Sequence, residues 1–139
     1  MAKKFQLSVD SRVERLTEIS EFVEIAAHAC GLQDAACDDV QMAVDEACAN
    51  VIEHAYHDNA KGKIEIACER RANKFVVTVE DYGKPFDPKE IAKPQTDAPL
   101  AERHIGGLGI YFMYKLMDRV DFHFSRGHNV LTMVKKIKS

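Results

Sequence analysis

A carboxylate and a carboxamide stand four positions apart in DEACANVIEHAY, residues 45–56. At that spacing Glu46 and Asn50 would share one face of a helix, and His54 continues the same line. An amide oxygen suits Mg²⁺, a hard cation, and a carboxylate can orient or deprotonate a neighbouring nucleophile. The same pair is also common on solvated helix faces, so this motif alone does not establish a site.

A second candidate lies in VEDYGKPFD, residues 79–87, where an acidic residue ends a predicted strand. Asp81 would stand at the mouth of the sheet, and Gly83 allows the backbone to turn or to approach a ligand closely. A carboxylate accepts hydrogen bonds, so Asp81 could bind the exocyclic amine of adenine, which donates them. The alternative is an ordinary turn, in which Asp, Gly and Pro are common.

The third candidate is a glycine-rich segment in which Gly106, Gly107 and Gly109 precede an apolar stretch. We expect a helix from about Ile110, whose first N–H groups and dipole would favour an anion, and glycines would let a phosphate reach the backbone. No Gly-Lys-Ser/Thr follows, which excludes a Walker loop, and a loop rather than a strand precedes it, unlike a dinucleotide fingerprint. A flexible hinge is the alternative.

The order of the three segments is more informative than any one of them. A helix face suited to magnesium, an acid suited to adenine and a turn suited to phosphate would together contact every part of a magnesium nucleotide. Residues 82–104, between the last two, hold all four prolines of the chain and show no sustained period. A loop of this length inside a compact domain is more often functional than accidental, for example as a lid.

Hydrophobic periodicity predicts the elements that must position these residues. Predicted strands cover 3–9, 63–69, 74–81, 120–125 and 130–137, and predicted helices cover 12–30, 34 to about 57, and 110–117. Asp10 or Ser11 is expected to cap the first helix, and Gly31 to end it. The expected fold class is α+β: a two-layer sandwich whose mostly antiparallel sheet is covered by helices on one face, in a single domain spanning residues 1–139.

Composition excludes several classes of protein. A net charge of −3 gives no bulk attraction to nucleic acid or membrane, and no apolar run reaches the roughly 18 residues that span a bilayer. The start of the chain lacks an apolar signal segment, so we expect a cytoplasmic protein. The cysteines form no C-x-x-C pair and are expected in the core. They are Cys30, Cys37, Cys48 and Cys68.

The segments EACAN, DYGKPFD and GGLGI resemble the N, G1 and G2 boxes of the GHKL ATPase superfamily. Within it, the chain resembles the anti-sigma-factor serine/threonine protein kinases, which are small and commonly have Pro-Phe-Asp after the G1 glycine. Those kinases also often read GLGI before an apolar helix that ends near MD, as this chain does. The resemblance covers nearly the whole chain and implies a histidine-kinase-like ATPase domain with the Bergerat-type ATP-binding fold.

The resemblance implies roles for individual residues. Glu46 resembles the general base that activates the acceptor hydroxyl, Asn50 the ligand of Mg²⁺, and Asp81 the acid that binds adenine. The other nucleotide-binding residues implied are Gly83, Phe86, Arg103, Gly106, Gly107, Leu108 and Gly109. Residues 84–104 would form the ATP lid. The last strand has GHNVLT in place of the usual Gly-Thr, so Thr132 receives no role.

The implied activity is a kinase that uses ATP and Mg²⁺ in a partner switch. A homodimer would hold a sigma factor, release it for an unphosphorylated anti-sigma-factor antagonist, and phosphorylate a serine of that antagonist, without direct contact with nucleic acid or membrane. One alternative is a non-catalytic ATP-binding module that docks a protein partner. Another is the detached catalytic domain of a histidine kinase, although 139 residues leave no room for a phosphoacceptor histidine on a dimerising helix pair.

Overall fold

The computed structural model describes residues 4–57, 59–86 and 105–138, with the backbone alone at 105–108. The elements follow the order predicted from the sequence. The strands are β1 (Lys4–Asp10), β2 (Lys63–Arg71), β3 (Lys74–Asp81), β4 (Arg119–Ser125) and β5 (His128–Lys136), and the α-helices are α1 (Leu16–Ala29), α2 (Asp34–Asn50) and α3 (Ile105–Leu116). A 3₁₀ turn, Val13–Arg15, precedes α1, and a π-helical turn, Val51–Ala55, continues α2.

The strands form one antiparallel sheet in the order β1-β2-β3-β5-β4, so β3 is central. The β2–β3 hairpin is tighter than expected, because Arg70 and Arg71 belong to the strand and the turn is at Ala72, where φ is 55°. At the β4–β5 turn, Arg126 and Gly127 have φ of 34° and 84°, and positive values at both central residues match the twist of a two-residue hairpin.

The core lies between the helices and one face of the sheet, as the α+β prediction required. Alternate residues of β2 and β3 are buried there, against the apolar faces of α1 and α2. They include Ile64, Ile66 and Cys68 of β2, Phe75, Val77 and Val79 of β3, Ile19 and Val23 of α1, and Val40 and Val44 of α2. All four cysteines are buried, which confirms their predicted place in the core.

The start of α1 differs from the prediction, since neither expected residue caps it. Asp10 instead accepts hydrogen bonds from the guanidinium groups of Arg12 and Arg15, at 3.0 and 2.9 Å. The hydroxyl of Ser11 accepts from the backbone N–H of Gly62 at 3.0 Å, which ties the end of β1 to the loop before β2. In these bonds the donor and the acceptor are both charged, whereas a helix amide is a neutral donor, so the carboxylate of Asp10 bonds the arginines instead of the helix amides.

Gly31 has a φ of 98° and ends the first helical region, as predicted. No helix in the described part of the chain has the length and apolarity needed to cross a membrane.

The core assignment can be tested with two isoleucines. Ile66 is fully buried in β2, whereas Ile25 on α1 is 66% exposed. Ile66→Ala should lower the free energy of unfolding by about 2–5 kcal/mol, because the lost atoms leave a cavity. Ile25→Ala should change it by less than about 0.5 kcal/mol. Urea denaturation followed by circular dichroism measures both, and equal losses would contradict the assignment.

Candidate functional site

Glu46 and Asn50 lie on the last turns of α2 with their side chains in contact. The amide nitrogen of Asn50 donates to Glu46 Oε1 at 3.2 Å, and Asn50 is 4% exposed. Its amide oxygen receives no hydrogen bond from any residue that the structure describes, which leaves an oxygen donor suited to a hard cation. Burial raises the pKa of Glu46, and the hydrogen bond from Asn50 partly opposes that rise.

Helix α3 packs against α2 at this pair. A Cβ added to Gly109 would overlap the carboxylate of Glu46, so glycine is the residue that permits this approach. The carboxylate of α2 and the glycine-rich segment are therefore direct neighbours. Two of the three segments singled out in the sequence thus meet in the folded chain.

The predicted start of the third helix is wrong. The helix begins at Ile105 rather than near Ile110, so residues 106–109 lie inside its first turns instead of preceding it. Glycine disfavours helix by about 1 kcal/mol, and packing of α3 on α2 outweighs that cost. The first four N–H groups of a helix have no partner within it, and here they belong to residues 105–108.

Asp81 ends the central strand and is 1% exposed. Its Oδ1 accepts hydrogen bonds from the backbone N–H of Gly83 at 2.9 Å and from Asn129 Nδ2 at 2.8 Å. Its Oδ2 has no donor among the described residues, so that oxygen is available to a ligand. Burial raises the pKa of Asp81, and the two hydrogen bonds act in the opposite direction because they favour the carboxylate.

The turn after β3 is fixed against the π-helical turn that continues α2. A Cβ on Gly83 would lie 2.5 Å from the carbonyl oxygen of Ala55, and the N–H of Lys84 donates to that oxygen at 2.8 Å. Nearby, the rings of His54 and Phe86 have centroids 6.0 Å apart. The helix that carries Glu46 and Asn50 therefore also holds the turn that follows Asp81.

A sequence model described as the histidine kinase-like ATPase domain matches residues 9–135. The chain belongs to this family. Proteins named serine-protein kinase RsbW are among its relatives. One, from Bacillus velezensis, is 35% identical over 99 residues, covering 67% of this chain and 61% of the relative. Another, from Bacillus thuringiensis, is 28% identical over 145 aligned positions, covering 98% of this chain and 86% of the relative. These findings confirm the resemblance to the GHKL superfamily and its anti-sigma-factor kinases.

Solved structures agree with the α+β fold expected of a histidine kinase-like ATPase domain. The RsbU and RsbW domains of a Mycobacterium tuberculosis protein match with a TM-score of 0.70 at 15% identity, covering 97% of this chain and 32% of that one. A chain of the SiaB-SiaC complex of Pseudomonas aeruginosa matches with a TM-score of 0.64 at 13% identity, covering 94% of this chain and 88% of that one. The catalytic domain of the histidine kinase ThkA matches with a TM-score of 0.58 at 16% identity, covering 99% of this chain and 96% of that one.

Some predicted site residues fall outside what the structure describes, and one contact was not foreseen. Arg103 and most of the expected lid, from residue 87 to 104, lie outside the described residues. Asn129 was not singled out in the sequence, although its partner is Asp81. The signal was present in GHNVLT, where the chain departs from the family's usual Gly-Thr. Thr132, which pairs with Thr78, lies on the open face of the sheet, opposite the buried residues of β5.

Alanine substitutions at two glycines distinguish a steric overlap with neighbouring atoms from backbone strain at a positive φ. Gly83→Ala should lower the free energy of unfolding by about 1–3 kcal/mol, because its Cβ meets rigid backbone. It should also speed hydrogen exchange at the amide of Lys84, which bonds Ala55. Gly127 has a φ of 84° and open space around it, so Gly127→Ala should cost about 1 kcal/mol and leave that amide unchanged. Unaltered exchange at Lys84 in Gly83→Ala would contradict this packing.

Proposed function

We propose that this histidine kinase-like ATPase domain is an ATP-dependent serine/threonine protein kinase of the anti-sigma-factor type. The observation that carries the proposal is the contact between Glu46 and Gly109. It puts a half-buried carboxylate beside the start of α3, where the amides of residues 105–108 are available to phosphate. The relatives named serine-protein kinase RsbW support the same activity.

ATP is the substrate that the proposed pocket suits. Asp81 Oδ2 would accept a hydrogen bond from the exocyclic amine of adenine, since an ionised carboxylate only accepts. The phosphates would lie at the start of α3, where unsatisfied amides and the helix dipole favour negative charge. Gly83, Phe86, Arg103 and residues 106–109 complete the proposed set of nucleotide contacts.

Mg²⁺ is the proposed cofactor, with Asn50 as its protein ligand. The structure fits this role because Asn50 uses its amide nitrogen to contact Glu46, which leaves the amide oxygen for a cation. One protein oxygen together with substrate phosphate oxygens is a common way of binding Mg²⁺. When bound, the ion would neutralise charge on the phosphates during transfer.

In the proposed reaction Glu46 takes the proton of a serine hydroxyl on the acceptor protein. The serine oxygen forms a bond to the γ-phosphorus, the bond from that phosphorus to the β,γ-bridging oxygen breaks, and ADP leaves. Burial raises the pKa of Glu46, which makes its carboxylate a stronger base than an exposed one. Positioning and charge neutralisation supply the rest of the catalysis, as is usual in phosphoryl transfer.

The proposed partners are a sigma factor and its antagonist. By the family resemblance, a homodimer would hold the sigma factor in the cytoplasm and exchange it for the unphosphorylated antagonist, whose serine is the acceptor. The active domain is proposed to be the single one spanning residues 1–139. The neighbouring genes offer a direct check, because an adjacent gene for either partner would support the switch.

The adenine assignment predicts the effect of Asp81→Asn. An amide can turn a donor toward the adenine amine, so ATP affinity should fall by about 100-fold or more.

The free energy of unfolding at pH 7 should not fall in Asp81→Asn. Because the pKa of Asp81 is raised in the folded protein, this group stabilises the fold at a pH below its pKa in the unfolded chain. That stabilisation is lost as the pH rises through the pKa of Asp81 in the folded protein. The ionised group is therefore a cost at pH 7, which the neutral amide avoids.

Glu80→Gln is the matched control, because Glu80 neighbours Asp81 in β3 but contacts His128 on the open face of the sheet. Calorimetric titration with ATP and thermal melts compare the two variants. Wild-type affinity in Asp81→Asn would refute the assignment of adenine to this residue.

The base assignment predicts that Glu46→Gln slows phosphoryl transfer by about 10²–10⁴-fold. ATP affinity should stay within about threefold, since the substitution keeps the shape of the side chain. Glu18→Gln, on α1 and 45% exposed at its side chain, should leave transfer unchanged. Labelled ATP and the cognate antagonist provide the assay. Tight ATP binding without transfer in the unaltered protein would instead favour the non-catalytic module.

A further inference from the structure

Asn129 stands directly opposite the acid that ends the central strand. The β3–β5 register pairs it with Asp81. Its side chain lies on the helix-covered face of the sheet, because Leu131 and Met133 follow at alternate positions and are buried. The carboxamide is therefore on the same side of the sheet as Glu46 and Asn50.

The amide nitrogen of Asn129 uses both of its hydrogens on acceptors of the proposed pocket. It donates to Asp81 Oδ1 at 2.8 Å and to the carbonyl oxygen of Lys84 at 3.1 Å. Both partners can only accept, so the orientation of the amide is fixed by its surroundings. The first bond holds the carboxylate, and the second holds the backbone where the segment after β3 begins.

These bonds make the two oxygens of Asp81 unequal. Oδ1 receives two donors, Asn129 Nδ2 and the N–H of Gly83, whereas Oδ2 receives none from the described residues. A carboxylate held by one oxygen in this way cannot rotate without breaking both bonds. The free oxygen is thus presented in one direction.

Asn129 also acts on the charge of Asp81. Burial raises the pKa of Asp81, and the hydrogen bond from Asn129 is the largest influence that lowers it, followed by that from Gly83. Two other titratable groups interact with Asp81 in the described structure. Glu80, its neighbour in β3, raises the pKa of Asp81, and the thiol of Cys48 on α2 has its own pKa raised in part by the charge of Asp81.

We propose that Asn129 is a positioning residue for base recognition, which holds Asp81 Oδ1 so that Oδ2 faces the exocyclic amine of the nucleotide. The inference rests on the proposed function, in which Asp81 binds adenine. Asn129 need not touch the nucleotide. It acts through Asp81 and, by its bond to Lys84, links the base pocket to the segment that follows β3.

The test is the pH dependence of ATP binding by the full chain, measured by calorimetry from pH 5.5 to 8. Asn129→Ala should weaken ATP binding by about 10- to 100-fold at pH 7, because Asp81 Oδ1 then keeps only the donor from Gly83 and the carboxylate is no longer held in one orientation. It should also move the acid limb of the affinity profile to higher pH, because Asp81 then protonates more readily. Thr132→Ala, on the same strand but the opposite face, is the control and should change neither.

The isosteric variant Asn129→Asp should have the opposite pH dependence. Two adjacent carboxylates repel when both are ionised, and one proton shared between them relieves the repulsion. Its loss of affinity should therefore be greatest at pH 8 and should shrink as the pH falls. Asn129→Thr retains one hydroxyl donor and should recover part of the affinity that Asn129→Ala loses. If the alanine variant does not fold, the threonine and aspartate variants provide the same comparison.

The outcomes separate this inference from the proposed function. Loss of ATP binding in Asp81→Asn, with wild-type affinity and an unmoved pH profile in all three Asn129 variants, would overturn the role of Asn129 alone. Wild-type affinity in Asp81→Asn would overturn the adenine assignment, and the role of Asn129 with it. Opposite pH dependence in the alanine and aspartate variants would support both.

Discussion

The close approach of helix α3 to Glu46 is the contact on which the site depends. Gly109 lies against the carboxylate, and any side chain there would displace either the helix or the acid. Through this contact the last turns of α2, with Glu46 and Asn50, lie beside the N-terminal amides of α3. A carboxylate, an amide oxygen and the N-terminal N–H groups of a helix are thereby brought together by one helix–helix interface, at the expense of glycine's low helix propensity.

The other half of the site is organised by the central strand. Asp81 ends β3 in a nearly fully buried position, where a carboxylate is costly unless donors satisfy it. Gly83 supplies one donor from the following turn and Asn129 supplies another from the neighbouring strand. The same turn packs on the π-helical extension of α2 through Ala55. The helix of Glu46 and the strand of Asp81 are thus joined directly, and a ligand that reaches both would be held by one rigid framework.

Local patterns predicted much of the fold because they reflect local physics. Apolar residues alternate along β2 and β3 because one face of the sheet is buried, and they recur at the helical period at Val40 and Val44 because one face of α2 is buried. Gly31 can adopt the positive φ that ends a helix. The errors arose where a competing side-chain contact or the packing of two helices decides a local choice. The two arginines took Asp10 away from its expected capping role. Helix α3 begins at Ile105 because packing against α2 outweighs the weak propensity of its glycines.

The sequence by itself determined the order of elements, the α+β class, the family, and the residue types that suit a magnesium nucleotide. Those properties are encoded in short segments, where spacing and side-chain chemistry are visible without distant contacts. Only the tertiary structure decided that Gly109 abuts Glu46, that Asp81 is held by a single oxygen, and that Asn129 is one of its donors. Such facts depend on helix packing and on the register between β3 and β5, and register joins residues 48 positions apart that no local pattern relates.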